Sequence, residues 1–86
     1  MTQVLEGIRV LDFGRYIAGP YCGTLLGDMG AEVIRIEKVD GSEDRFLSPI
    51  SDKGDGGLFM QLARNKKCLT LNPMKPEGVE MVRKLV

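Results

Sequence analysis

The segment GRYIAGP, residues 14 to 20, holds a side chain that could bind a charged ligand. It follows an apolar run typical of a strand and leads into apolar residues at helical spacing. The first N–H groups of a helix lack partners within the helix and favour negative charge. Arg15 adds a positive charge beside them, so the turn suits a phosphate or a thioester oxygen. Pairing of Arg15 with Asp12 at the strand end is the structural alternative, and the sequence leaves both interpretations open.

Glu37 suggests a second kind of site, because it ends the next strand-like run. In NAD-binding proteins an acid at the end of the second strand binds the ribose. The glycines do not fit that site, since Gly14 and Gly19 do not form G-x-G-x-x-G. Ile17 and Pro20 occupy the place of the tight turn. NAD binding is therefore the weaker hypothesis.

The sequence does not favour catalysis by cysteine. Cys22 lies early in the predicted helix, where a thiolate would be stabilised, but it falls on the apolar side of that helix. The chain has no histidine to act as its base. We expect Cys22 to be a buried packing residue, and Cys68 to have the same role in a short strand. The acids of residues 38–57 do not match the spacing of an EF-hand, so we expect no metal site there.

The elements that position these residues start with a strand, a helix and a second strand. The apolar run from Ile8 to Phe13 predicts a strand buried on both faces. We expect the helix to begin near Pro20 and to stop at Gly30. Helical spacing predicts that its buried side consists of Cys22, Leu25, Leu26 and Met29. The second strand contains Val33, Ile34 and Ile36, and two strands joined by a helix should be parallel.

The second half repeats the alternation of helix and strand. After a surface loop at residues 38–57, the sequence predicts a short helix at 58–64 and a third strand at 68–71. Asn65 can adopt a left-handed conformation between them. A last helix begins at Pro76, and we expect its apolar side to contain Val79, Val82 and Val86. The predicted fold class is α/β: a Rossmann-like βαβαβα segment with a parallel sheet, an incomplete domain covering residues 1–86 and no second domain.

Three glycines of the first helix, Gly19, Gly23 and Gly27, recur every four residues on one side. Glycine in a helix interior costs up to about 1 kcal/mol, so their presence needs a reason. A side without side chains lets another backbone or a flat ligand approach closely. We favour close packing of the helix as the explanation.

Composition excludes several classes of function. Twelve basic and twelve acidic residues cancel, so neither nucleic acid nor an anionic membrane is an expected partner. The opening MTQVLEG lacks the basic-then-apolar pattern expected of a signal peptide, and no apolar run approaches the length of a membrane span. Two cysteines without secretory features are expected to be reduced thiols, and we expect a cytoplasmic protein.

Two segments resemble a known family. They are LEGIRVLDFGRYIAGPYCGTLLGDMGAEVIRIEK and ARNKKCLTLNPMKPEG, and together they span Leu5 to about Gly78. They resemble the opening of the class III CoA-transferases, which include formyl-CoA transferase, carnitine CoA-transferases and α-methylacyl-CoA racemases. AGP at residues 18–20, GAEVIRIE at 30–37 and the later NKK…PEG pattern occur in the family's order and spacing. Members are several times longer and form homodimers, so the resemblance implies an N-terminal piece of a dimeric protein.

The resemblance also implies a ligand, coenzyme A, bound as an acyl-CoA substrate that reacts with a carboxylic acid. In formyl-CoA transferase, CoA is contacted by the positions matching Ile17, Ala18 and Lys38 and by the stretch matching residues 71–74. The predicted binding residues are therefore Arg15, Ile17, Ala18, Lys38, Leu71, Asn72, Pro73 and Met74. Lys38 replaces an arginine and Ile17 replaces a glutamine that serves the active site there, which argues against formyl transfer itself.

The family's catalytic groups are not among these residues. The transferases use an aspartate that attacks the thioester and forms a mixed anhydride, and the racemases use an acid–base pair. Both lie beyond the position matching residue 86, so we expect no catalytic residue here and no activity from the chain alone. The predicted whole protein is a CoA-transferase. The alternatives are an acyl-CoA racemase and a non-catalytic α/β module that binds a nucleotide or a partner.

Overall fold

The computed structural model describes residues 3–46 and 56–86. Strands and helices alternate along the chain in the predicted βαβαβα order, with one short 3₁₀ helix at Glu43–Phe46 between the second strand and the second helix. The elements are β1 (Arg9–Asp12), α1 (Ala18–Asp28), β2 (Glu32–Glu37), α2 (Gly57–Leu62), β3 (Lys67–Thr70) and α3 (Pro76–Leu85). Residues 47–55 of the predicted surface loop lie outside the described residues.

The three strands form one parallel sheet in the order β1-β2-β3, so β2 lies in the centre. Val10 of β1 pairs with Val33 of β2, and Ile36 of β2 pairs with Leu69 of β3. The prediction of a parallel α/β fold is confirmed. Because all three strands run the same way, their carboxyl ends lie at one edge of the sheet.

The two faces of β2 differ in chemistry because successive side chains point to opposite sides. Ile34 and Ile36 join Leu71 in the apolar core, and Val82 and Leu85 of α3 pack against them. The opposite face carries Val33, Arg35 and Glu37, all buried. This second face lies under α1, since a Cβ atom at Gly27 would lie 3.3 Å from Cγ2 of Val33. The central strand therefore has an apolar side and a side that carries two buried charged residues, Arg35 and Glu37.

The predicted buried side of α1 is wrong for three of its four residues, and the fourth, Leu26, is half-buried. The buried residues of α1 are Pro20, Gly23, Thr24 and Gly27. Leu25 and Met29 are 43% and 44% exposed, and Cys22 is also exposed. Gly23 and Gly27 face the sheet because the absence of side chains allows the helix to approach closely, which confirms the packing explanation for these two glycines. Gly19 is exposed, and a Cβ atom there would lie 2.9 Å from the Cα atom of Gly14.

The predictions for β1 and for the start of α1 also need correction. Ile8 and Phe13, at the two ends of the predicted run, lie outside β1 and are 52% and 48% exposed. Within β1, Val10 and Leu11 are only half-buried, so the strand is not buried on both faces. Its one sheet neighbour among the described residues is β2, which leaves β1 at an edge. The helix begins at Ala18 instead of Pro20. Its stop is as predicted, with Gly30 at a φ of +107°.

The second half matches the prediction to within two residues. Asn65 has the expected left-handed φ of 59°, and α3 begins at Pro76. Its apolar side is partly wrong, because Val79 and Val86 are 37% and 92% exposed. Val82 packs against the core as predicted, together with Leu85. In the part of the chain that the structure describes, no helix is long and apolar enough to cross a membrane.

Candidate functional site

All the residues predicted to bind CoA follow the carboxyl end of a strand. Arg15, Ile17 and Ala18 come after β1, Lys38 comes after β2, and residues 71–74 come after β3. Parallel strands bring these three segments to the same edge of the sheet. Open α/β sheets bind their ligands at this edge. The structure therefore places the predicted residues together, while their role in binding stays a prediction.

Most of these residues are accessible at the carboxyl edge. Ile17 and Met74 are 60% and 88% exposed, and Ala18, Lys38 and Pro73 are also exposed. Arg15 and Asn72 are half-buried. Leu71 differs, because its side chain belongs to the apolar core and only 6% of the residue is exposed. Any contact of Leu71 with a ligand would have to use its backbone.

The turn after β3 is fixed by Asn72. Its side-chain Oδ1 accepts the N–H of Met74 at 2.9 Å, and its carbonyl oxygen accepts the N–H of Lys75 at 3.2 Å. The Asn72 side chain therefore shapes the turn that exposes Met74 and Pro73.

Arg15 anchors the turn between β1 and α1. Its Nη1 donates to the carbonyl oxygens of Phe13 and Gly14, both at 2.9 Å, and it lies 3.5 Å from the carbonyl oxygen of Ile36. The predicted pairing of Arg15 with Asp12 is wrong. Asp12 instead accepts Lys66 Nζ at 2.7 Å and the N–H of Gly14 at 2.8 Å.

Glu43 contacts both of the positively charged residues that were predicted to bind CoA, Arg15 and Lys38. Lys38 Nζ lies 2.6 Å from one Glu43 carboxylate oxygen, and Arg15 Nε lies 3.8 Å from the other. The hydrogen bond from Lys38 lowers the pKa of Glu43 below its usual range. The carboxyl edge thus presents two positive side chains that share one carboxylate. Sequence reasoning missed Glu43 because the 3₁₀ helix that carries it was read as part of a solvated loop.

A buried ion pair links β2 to the same 3₁₀ helix. Arg35 Nη2 donates to Asp44 Oδ1 at 2.6 Å, and the two side chains are 1% and 3% exposed. The other oxygen of Asp44 accepts the backbone N–H of Tyr16 at 3.1 Å. Asp44 therefore connects the centre of the sheet to the turn between β1 and α1.

Tyr16 has a backbone conformation that is unusual for its residue type. Its φ is 65°, in the left-handed region. For a residue with a Cβ atom this region costs on the order of 1–2 kcal/mol. Such strain persists only where surrounding contacts hold it, and the hydrogen bond to Asp44 is one such contact.

Glu37, the acid of the NAD hypothesis, is fully engaged inside the protein. It accepts Arg45 Nε and Nη2, both at 2.7 Å, and the N–H of Ser42 at 3.3 Å. Arg35 Nε also lies 3.3 Å away. Burial alone would raise the pKa of Glu37, but the hydrogen bonds from Arg45 and Ser42 and the nearby guanidinium charges lower it to about 2. A carboxylate held in this way is not available to bind a ribose.

The ring of Phe59 in α2 packs against the two guanidinium groups of this charged cluster. The guanidinium carbons of Arg35 and Arg45 lie 5.1 Å and 4.3 Å from the centre of its ring. Cations at these distances are attracted to the face of an aromatic ring. Sequence reasoning missed the cluster, although Arg35 and Glu37 alternate with two isoleucines in β2. That alternation indicated one polar face of the strand.

The comparisons with known proteins decide the family. The model of CoA-transferase family III matches residues 5–86. The chain belongs to CoA-transferase family III.

Curated relatives agree with this family. The chain is 40% identical to the succinyl-CoA–L-malate CoA-transferase beta subunit of Chloroflexus aurantiacus over 99% of the chain and 21% of that protein. It is also 40% identical to the succinyl-CoA:glutarate CoA-transferase of Mus musculus over 94% of the chain and 19% of that protein. The chain therefore spans about a fifth of the length of these relatives.

Solved structures show the same fold. A CAIB/BAIF family protein from Brucella suis matches with a TM-score of 0.88 and 34% identity, over 99% of this chain and 24% of that one. A hypothetical protein from Mycobacterium tuberculosis matches with a TM-score of 0.86 and 33% identity, over 98% of this chain and 23% of that one.

Several side chains of this family III segment do not have the roles that the sequence predicted. Cys22 and Cys68 are both exposed, so the prediction that they are buried is wrong. Lys66 has a fully buried side chain paired with Asp12, so it is not available to a ligand. Lys67 is exposed and lies 2.8 Å from Glu32. Within residues 3–46 and 56–86, no group of three or more potential ligands could hold a metal ion.

Two concave regions of this family III segment lie at the amino ends of the strands, away from the predicted site. One of about 260 Å³ is lined by residues that include Ala31, Asn65 and Lys67. The other, of about 300 Å³, lies beside Gly7 and Arg9. We place the candidate site at the carboxyl edge, because ligands of open parallel sheets bind at that end.

Proposed function

We propose that this segment forms part of the CoA site of an enzyme that transfers CoA between carboxylic acids. The observation that supports it is the pairing of Arg15 and Lys38 around Glu43 at the carboxyl edge. The relatives at 40% identity that are named as CoA-transferases support the same reaction.

Each exposed residue suits one part of CoA. Lys38 and Arg15 would bind phosphate oxygens through charge-assisted hydrogen bonds. Lys38 supplies a point charge and not the planar guanidinium that stacks on adenine. Ile17, Ala18 and Met74 offer apolar surface to the pantetheine arm. Glu43 would have to yield one of its cations to the ligand.

In the reaction we propose, this segment binds and orients CoA while the nucleophile comes from elsewhere in the protein. A carboxylate oxygen of an aspartate attacks the thioester carbonyl carbon, the C–S bond breaks, and CoA leaves as a thiolate. Buried acids of this segment are already engaged: Asp12 with Lys66, Glu37 with Arg45 and Asp44 with Arg35. By itself the segment would catalyse no transfer, because orientation without a nucleophile gives no covalent step.

The proposed setting is a cytoplasmic homodimer that acts on an acyl-CoA and a carboxylic acid. A racemase acting at the α-carbon of an acyl-CoA would use the same CoA site, so it remains the alternative within the family. A non-catalytic nucleotide-binding module of the NAD type is less favoured, because Glu37 is committed to Arg45.

Ligand choice tests the proposal. CoA and NADH are titrated into the isotope-labelled protein, and amide shifts are followed at Arg15 and Lys38. CoA should cause the larger shifts, because its 3′-phosphate and pantetheine arm are absent from NADH. Lys38→Gln should weaken CoA binding, whereas the control Lys84→Gln, at the far end of α3, should not. Equal or larger shifts with NADH would overturn the assignment to CoA.

A further inference from the structure

We infer that Asp44, held by Arg35, is a positioning residue that sets affinity for the nucleotide part of CoA. This inference rests on the proposed function. Asp44 is buried and acts through the backbone of Tyr16. Its role is to hold the turn between β1 and α1 in the shape that aims Arg15 and Ile17 toward the carboxyl edge.

The first step is the geometry of the turn. Tyr16 lies between Arg15 and Ile17, two of the predicted binding residues, and has a φ of 65°. A change of φ at one residue redirects the chain on both sides of it. If the left-handed conformation relaxed, Arg15 and Ile17 would no longer keep their present positions relative to Lys38. The hydrogen bond from the Tyr16 N–H to Asp44 opposes that relaxation.

The second step is how firmly Asp44 itself is held. Its Oδ1 lies 2.6 Å from Arg35 Nη2, and both side chains are shielded from water. Arg35 belongs to the central strand and lies over the ring of Phe59. A buried charge-assisted hydrogen bond of this length fixes its acceptor strongly. Arg35 thereby fixes the Asp44 carboxylate to the sheet. The carboxylate in turn fixes the backbone of Tyr16.

The third step is that the same 3₁₀ helix organises both cations. Glu43 contacts Lys38 and Arg15, and the next residue, Asp44, contacts Tyr16. One short helix therefore sets the spacing between the turn after β1 and the segment after β2. Asp44 would thus affect the cations that meet the nucleotide more than the pantetheine arm, because that arm keeps its proposed contacts with Ala18 and Met74.

The test uses the complete protein that carries this segment and compares two ligands. Binding of CoA and of pantetheine, which lacks the nucleotide, is measured by calorimetry for wild type, Asp44→Ala and Asp40→Ala. Asp40 is an exposed acid of the same loop and serves as the matched control. We expect Asp44→Ala to weaken CoA binding about tenfold and to change pantetheine binding by less than about twofold. Asp40→Ala should change neither.

Thermal unfolding of the same variants separates positioning from simple structural support. A structural role would lower the melting temperature and weaken both ligands equally, and that result would overturn the inference. Arg35 keeps Glu37 as a neighbour at 3.3 Å in Asp44→Ala, which limits the loss of stability. If that variant fails to fold, Asp44→Asn replaces it. Its single amide oxygen can accept from the Tyr16 N–H or from Arg35 but not from both, and the other donor then faces the amide NH2 group. A loss for CoA alone is therefore expected, and no loss would overturn the inference.

The same measurements distinguish this inference from the proposed function. If wild type binds pantetheine as tightly as CoA, the proposed CoA site and the inference both fail. If wild type prefers CoA and Asp44→Ala keeps the full preference, the proposed function stands and only the positioning role of Asp44 is wrong.

Discussion

Lys66 Nζ lies 2.7 Å from Asp12 Oδ2, and both side chains are buried between α1 and the sheet. The same ammonium group donates to the carbonyl oxygen of Pro20 at 2.8 Å. The pair joins the end of β1, the first turn of α1 and the segment before β3. A cation at this point ties the end of β1 and the start of α1, which border the candidate site, to the segment before β3.

Replacing Lys66 by methionine should destabilise the protein strongly. The variant leaves the Asp12 carboxylate buried without its cation, and breaking a buried pair in this way costs about 3–5 kcal/mol. Denaturant unfolding of wild type and Lys66→Met measures the difference. The neighbouring Lys67→Met is the control, because its exposed pair with Glu32 should contribute less than about 1 kcal/mol. Equal losses of unfolding free energy in the two variants would show that the Lys66–Asp12 pair contributes no more than an exposed pair.

Stability should fall in acid because of Glu37. Its pKa is about 2 in the folded protein, below the ordinary value of 4.5. A lowered folded pKa gives stability that is present above pH 4.5 and is lost as the pH falls toward 2. The shift corresponds to on the order of 3 kcal/mol.

The measurement is the free energy of unfolding at neutral pH and at several acidic pH values, for wild type and Glu37→Gln. The variant should be less stable at neutral pH and should lose less stability between pH 4.5 and 2. Glu32→Gln is the control, because its exposed carboxylate also has a lowered pKa but is surrounded by water. If Glu37→Gln loses as much unfolding free energy between pH 4.5 and 2 as wild type does, groups other than Glu37 are responsible for the acid sensitivity.

Gly78 of α3 should not tolerate a side chain. A Cβ atom there would collide with the carbonyl oxygen of Asn72, which is backbone and cannot move away cheaply. Gly78→Ala should therefore destabilise the protein by about 1–3 kcal/mol, although alanine is the better helix former by about 1 kcal/mol. Thermal unfolding checks this, with Val79→Ala at the next, exposed position as the control. A more stable Gly78→Ala variant would mean that α3 does not approach the turn at Asn72 so closely.

The order of elements and the position of the candidate site could be predicted from the sequence. The β-branched runs, the stop at Gly30 and the proline at residue 76 are local signals, and each element depends mainly on its own residues. Parallel strands then bring Arg15, Lys38 and residues 71–74 to one edge without further information. This reasoning needs only the order of the elements along the chain.

The orientation of α1 and the ion pairs could not be predicted in the same way. Hydrophobicity favoured Leu25 and Met29 as the buried side, but the glycines let α1 approach the charged face of β2 closely. Asp12 and Lys66 are 54 residues apart, and no local pattern relates them. Pairings across such distances depend on how the helices and strands pack in three dimensions.

The outer side of α1 should make the isolated chain associate. Ile17, Tyr21, Leu25 and Met29 recur every four residues on one side of the helix and are 60%, 50%, 43% and 44% exposed. A contiguous apolar surface of this kind promotes association in water. The double variant Tyr21→Glu with Leu25→Glu should keep the fold, because neither side chain is buried, and should remain monomeric at concentrations where the parent chain associates. Sedimentation over a range of concentrations measures this, with Val4→Glu as a control that changes an exposed apolar residue elsewhere. A parent chain that stays monomeric throughout, or a Val4→Glu variant that dissociates as fully as the double variant, would show that this side of α1 does not drive association.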